Sequence, residues 1–131
     1  MQQATVFRIT ALLGGLSVAL GAFAAHGLQR LVDPAYLVTF ETGVRYQFYH
    51  TFAIGLVAAA YQLPVLSTNR LRLAVLCWCG GLLLFSGSLY LLSLRELHGL
   101  PVSLLGPITP LGGLLLIAGW GMLLTAPRSV A

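Results

Sequence analysis

The chain has 131 residues, 58% of them hydrophobic and 8% charged, with a formal net charge of +4. Average soluble domains carry about 25% charged residues, so this composition excludes an ordinary soluble fold and reads as an integral membrane protein. The charge comes from seven arginines, with no lysine, against three acids. Scattered singly near the ends of apolar runs, the arginines speak for topology rather than nucleic-acid binding.

Four apolar runs, each long enough to cross a bilayer, follow one another at about 7–28, 40–63, 73–94 and 104–124. The polar links between them, 29–36, 64–72 and 95–101, are short enough to make neighbouring helices antiparallel. The expected fold is all-α: one domain over 1–131, an antiparallel bundle of four transmembrane helices whose surroundings are the lipid bilayer. With the N-terminus inside, the cytoplasmic end holds Arg8, Arg70, Arg72 and Arg128 and no acid. The other end holds Arg30, Arg45 and Arg95 with Asp33, Glu41 and Glu96. Arginine excess, sharper if Arg45 lies within the membrane, puts both termini in the cytoplasm. Arg8, the first run and the small residues around Ala22, Phe23 and Ala24 also resemble a signal peptide. The near-spanning length of the run favours a retained helix.

The first, third and fourth runs share a glycine pattern. Gly14-Gly15-Leu16 precedes Gly21, Gly80-Gly81-Leu82 precedes Gly87, and Gly112-Gly113-Leu114 precedes Gly119. The outer glycines of each set return to nearly the same helix face after two turns. Gly14, Gly21, Gly80, Gly87, Gly112 and Gly119 are therefore expected to let helices approach closely, with Ser17 and Ala25 extending the first stripe. Cys77 and Cys79 flank Trp78 and point to nearly opposite sides of a helix, so they read as buried small residues rather than a bridge or a metal pair. Trp78 and Trp120 suit interfacial belts, or Trp120 packs among the glycines.

The fourth run opens with Gly106-Pro107-Ile108-Thr109-Pro110. Helix there either starts near Pro107 or kinks at Pro110. Residues 110–124 alone are too short for a hydrocarbon core of about 30 Å, so the preceding residues must help to span.

The second run opens with a polar cluster: Glu41, Arg45, Tyr46, Tyr49 and His50. Glu41 and Arg45 are four apart and can pair, as can Tyr46 and His50. A helical wheel gathers Glu41, Thr42, Arg45, Tyr46, Tyr49 and His50 on one half, opposite Phe40, Val44, Phe48 and Thr51. The polar half is expected to face the bundle interior, and Gln47, which falls off it, needs a neighbouring helix. His50 lies about 13 Å below Glu41. His26, near the outer end of the first helix, could approach the same outer-half cavity. His98, beside Arg95 and Glu96, reads as solvated.

Three uses of the cluster compete. It can be a satisfied polar network that fixes helix register. It can be a proton or small-solute pathway through Glu41, His50 and the tyrosines. It can be a haem site held by His26 and His50. No dinucleotide fingerprint, P-loop, zinc motif or serine elbow occurs, and no catalytic group, metal or cofactor is assigned.

Four stretches carry a family resemblance. They are Gly21-Ala22-Phe23-Ala24-Ala25-His26-Gly27-Leu28, then Phe40-Glu41-Thr42-Gly43-Val44-Arg45-Tyr46-Gln47-Phe48-Tyr49-His50. Phe85-Ser86-Gly87-Ser88-Leu89-Tyr90 and Gly106-Pro107-Ile108-Thr109-Pro110-Leu111-Gly112-Gly113 complete the set. Together they make the chain similar to domain-of-unknown-function family 423, the YgdD/YwdK-like small inner-membrane proteins. Ala24 departs from the glycine usual there and bears only on packing. The resemblance implies a four-helix protein of the bacterial inner membrane without an established activity, and it adds Ser86 and Thr109 to Arg45 and His50 as candidates for one polar interior. The expected role is a non-enzymatic accessory or scaffold protein that self-associates or joins a larger membrane complex. The alternative is an oligomeric proton or small-solute transporter or channel.

Overall fold

Capping residues, rather than hydropathy, set where the helices begin. Asp33 Oδ1 accepts the Ala35 N–H at 2.8 Å, with Pro34 at the first helical position. Ser67 Oγ accepts the Arg70 N–H at 3.5 Å. Each side chain satisfies a donor that the first turn leaves without an intrahelical partner. α2 and α3 therefore start more than a turn before the apolar runs that begin at 40 and 73. Replacing Asp33 with alanine is expected to cost about 1 kcal/mol. Faster amide exchange at Ala35, with the distal turns unchanged, is the reading that checks it.

The structure, a computed structural model, describes residues 1–99 and 102–128. It is all-helical: α1 (Gln3–His26), α2 (Pro34–Ala60), α3 (Thr68–Ser93), a single turn α4 (Arg95–His98) and α5 (Leu105–Leu124), with 3-10 turns at Leu28–Arg30 and Val102–Leu104. Gln3–Arg30, Thr68–Ser93 and Leu105–Leu124 are long and apolar enough to cross a membrane. α2 is also long enough at 27 residues, but Arg45, Gln47 and His50 dilute its apolar character and it is not among those three. The fourth run becomes helical near Pro107, which sits in the first turn of α5, where its missing N–H is harmless, and Pro110 lies inside the helix.

α1 packs on α2, α2 on α3, and α3 on α5. Along the first pair, Gly14 lies opposite Thr51 and Gly21 opposite Val44, while Thr10 meets Gly55. Along the last pair, Gly80 lies opposite Leu115, Gly112 opposite Phe85 and Gly119 opposite Trp78. The larger core cluster contains Val6, Ile54, Leu71, Val75, Trp78 and Leu116. A smaller one, Ala24, Leu28 and Phe40, closes the other end with Tyr90 against it.

Trp78 is completely buried among the helices, not turned outward. Its indole N–H donates to the Leu116 carbonyl at 3.2 Å, which removes the polar reason for an indole to seek the headgroups. Cys77 and Cys79 are both half-buried and free. Both described chain ends meet the α2–α3 link: Tyr61 Oη donates to the Met1 carbonyl at 2.5 Å, the Ser67 N–H to the Ala126 carbonyl at 2.8 Å, and the Arg128 N–H to the Val65 carbonyl at 2.9 Å.

Candidate functional site: the buried polar seam of α2

The inward stripe of α2 runs through Phe40, Gly43, Gln47, His50, Thr51, Ile54 and Val57. That stripe is rotated by roughly a third of a turn from the polar half expected to face inward. Glu41, Arg45, Tyr46 and Tyr49 are exposed, whereas Phe40 and Thr51, expected outside, are buried. The cause is close backbone approach at Gly43. A Cβ there would lie 2.7 Å from Tyr90 Cε1 and 3.3 Å from the Ser86 carbonyl oxygen. Only a face that presents hydrogen at this position lets α3 come so near, and Ser86 Oγ then donates to the Gly43 carbonyl at 2.9 Å.

Gln47 is the hub of the seam. Its side-chain amide donates to the Leu13 carbonyl of α1 at 3.3 Å and accepts the Tyr90 hydroxyl of α3 at 2.9 Å. The Thr51 hydroxyl donates to the Gln47 carbonyl at 2.7 Å, and Ser17 donates to the Leu13 carbonyl at 2.8 Å. One side chain thus joins three helices. An apolar groove of about 330 Å³ between α1 and α3 reaches Gln47 and Tyr90 at its floor, where their polar ends already engage each other. Among the described residues, no buried side-chain nitrogen or oxygen lacks a hydrogen-bond partner.

His50 sits one turn further along, and its tautomer follows from its partners. Nδ1 lies 2.8 Å from the Tyr46 carbonyl, which can only accept, so Nδ1 carries the proton. Nε2 lies 3.2 Å from Trp120 Nε1, whose N–H can only donate, so Nε2 is the acceptor. The imidazole is neutral with both nitrogens engaged, and protonating Nε2 would set two N–H groups against each other. The ring is enclosed by Trp78 and Trp120, whose centroids lie 6.2 Å and 6.1 Å from it.

The other expected site residues fall in different places. His26 is exposed in the last turn of α1, at the level of Thr39 if the Gly14–Thr51 and Gly21–Val44 register is continued. It is separated from His50 by about 16 Å along the axis, so the two do not share a cavity. The Glu41–Arg45 pair does not form; Arg45 instead donates to Thr42 Oγ1 at 3.4 Å. Ser86 joins the seam, while Thr109 Oγ1 lies 2.7 Å from Ser88 Oγ at the α3–α5 contact, apart from Gln47 and His50. His98 lies 2.8 Å from the Leu91 carbonyl at the end of α3, in a contact open to the surface.

The glycines also divide. A side chain at Gly112 would run into the Phe85 backbone nitrogen and one at Gly119 into the Trp78 indole, whereas Gly14, Gly21 and Gly80 have ordinary contacts at 3.7 Å. Nothing lies within 4 Å of a Cβ at Gly87, which corrects its place in the packing stripe: it faces the open groove. Gly43 and Gly81 are the close approaches that pattern reading missed, the latter leaving 2.9 Å from its Cβ position to the Leu116 nitrogen. Gly81 stands beside Gly80 in the repeated motif, one position off the assumed register. Gly43 lies inside a polar run, where side-chain charge drew the attention.

The family model described as "Protein of unknown function (DUF423)" matches residues 20–113, which contain α2 and α3 entirely. A Bacillus subtilis protein named UPF0382 membrane protein YwdK is 43% identical over 85% of this chain and 85% of its own length. A UPF0382 membrane protein of Haemophilus influenzae is 42% identical over 86% of this chain and 84% of its own. A Schizosaccharomyces pombe relative, UPF0382 membrane protein C1782.12c, is 39% identical over 92% and 98%. No solved structure matches the chain.

Proposed function

The chain belongs to the DUF423 family of membrane proteins of unknown function, and from that premise we propose that it is a non-enzymatic accessory or scaffold protein of the bacterial inner membrane. In this reading the single domain crosses the bilayer four times as an antiparallel bundle of α1, α2, α3 and α5, with both termini cytoplasmic. Arg8, Arg70, Arg72 and Arg128 then form an acid-free inner end, as the positive-inside rule favours. α2 is supported in the bilayer by packing between α1 and α3 along its length, with its buried Gln47 bonded to those neighbours and its buried His50 to Tyr46 and to Trp120 of α5 instead of to water.

The observation that carries the role is the closure of the seam. Gln47 exchanges its hydrogen bonds with Leu13 and Tyr90, and His50 spends both ring nitrogens on Tyr46 and Trp120. A relay needs a group free to take up and pass on a proton, and a solute path needs polar atoms that face water. A satisfied network fixes helix register instead. Purified protein in liposomes containing a pH-sensitive dye is expected to give no flux above empty vesicles, and mild-detergent purification from native membranes to recover an associated protein. A proton flux that His50→Ala abolishes would overturn this reading in favour of a conducting protein.

A further inference from the structure

This inference rests on α2 crossing the bilayer, as proposed above. Opposite its buried stripe, α2 carries a second one: Glu41, Arg45, Phe48, Phe52, Gly55 and Ala59 follow in alternating spacings of four and three. That repeat keeps one seam turned toward a partner helix. All but Gly55 are exposed, Phe52 by 65%, and Phe48 and Phe52 stand edge to face at 4.9 Å. Among the described residues, Thr10 of α1 lies over Gly55, 3.1 Å from where a Cβ would stand, and the other five positions are left open. Arg45 reaches only Thr42 Oγ1, at 3.4 Å, and Glu41 has no polar partner there.

The depth of these charges is the difficulty that a partner removes. A helix of this length is about 40 Å long against a hydrocarbon core of about 30 Å. Glu41, two turns in from Pro34, therefore lies a few ångström inside the core, with Arg45 a turn deeper. Ionisable groups facing acyl chains at such depth are costly, and in membrane proteins they turn to protein and to one another.

We propose that a second copy of this chain covers the seam, α2 against α2 about a two-fold axis along the membrane normal, with Glu41 of each copy paired to Arg45 of the other. The two-fold makes the contact isologous, so one acid and one base on a single face generate two reciprocal pairs. The four-residue offset is about 6 Å along the axis, which an extended arginine covers. A dent of about 290 Å³ lined by Gly21, Ala24, Glu41, Val44 and Arg45 gives the incoming guanidinium room. Phe48 and Phe52 continue the contact toward the other end. A lipid phosphate would answer Arg45 but leave Glu41 facing hydrocarbon, whereas a second copy answers both.

Energy transfer between donor- and acceptor-labelled full-length chains, diluted in phosphatidylcholine vesicles, tests the pairing. The native chain is expected to dimerise. Glu41→Arg and Arg45→Glu should each weaken dimerisation by about tenfold or more, and combining them should restore it, because the pair is then reversed rather than broken. Glu41→Gln, which keeps the side chain's shape, should also weaken it, and far-ultraviolet circular dichroism confirms that each variant remains helical. A native chain that stays monomeric at every dilution, single variants that dimerise unchanged, or a double variant that fails to recover would overturn the proposal. Side-selective labelling of Asp33→Cys and Gln62→Cys separates that failure from failure of the premise. Labels on opposite faces keep α2 across the bilayer, and labels on one face overturn both.

Discussion

Gly112→Ala is expected to lower thermal stability in detergent by about 2–3 kcal/mol, the upper range for overpacking, while Gly87→Leu changes it by no more than about 0.5 kcal/mol. The difference lies in what the new atoms meet. A Cβ at Gly112 would overlap the Phe85 backbone nitrogen and lie 2.8 Å from its Cα. Backbone cannot rotate out of the way, so α3 and α5 must separate, and the dispersion contacts along their whole shared face weaken together. At Gly119 the obstacle is the Trp78 side chain. Gly119→Ala should therefore also destabilise, by displacing an indole whose N–H is bonded to Leu116. At Gly87 the side chain enters the open groove between α1 and α3. Equal losses at Gly87 and Gly112, measured by thermal unfolding, would contradict the geometry of the α3–α5 contact.

That contrast marks how far the sequence could be read. Helical character followed from apolar run lengths, and close approach on α5 followed from glycines seven apart. Which glycines are covered depends on the neighbouring helix, and the pattern on one helix carries no such information: Gly87 and Gly112 look alike in sequence. Hydropathy located the helices but missed their first turns, because Asp33 and Ser67 extend helix beyond the apolar runs.

α2 shows the deeper limit. Expecting ionisable residues at membrane depth to turn inward gave a face centred on Glu41, Arg45 and Tyr49, and all three are exposed. The interior is instead chosen by Gly43, where α3 must fit, and by neutral Gln47 and His50, whose hydrogen bonds can be completed inside protein without burying charge. Gln47 was expected to need a neighbouring helix and bonds to two, but a lone amide does not say which ones. His50 was legible as buried, but its Trp120 partner, 70 positions away, was not.

The account rests on Gln47 holding α1, α2 and α3 together through a closed set of hydrogen bonds. Gln47→Leu is expected to cost about 1–3 kcal/mol, because it withdraws an acceptor from the Tyr90 hydroxyl and a donor from the Leu13 carbonyl while filling similar space. Tyr90→Phe removes the other half of the same bond. Once either partner is gone, the second substitution has less left to lose. The double-mutant cycle over Gln47→Leu and Tyr90→Phe, followed by reversible unfolding in detergent, is the most direct measurement. A coupling free energy of about 0.5–1.5 kcal/mol, the range of hydrogen bonds between membrane helices, is the result expected. Strictly additive losses would contradict the network.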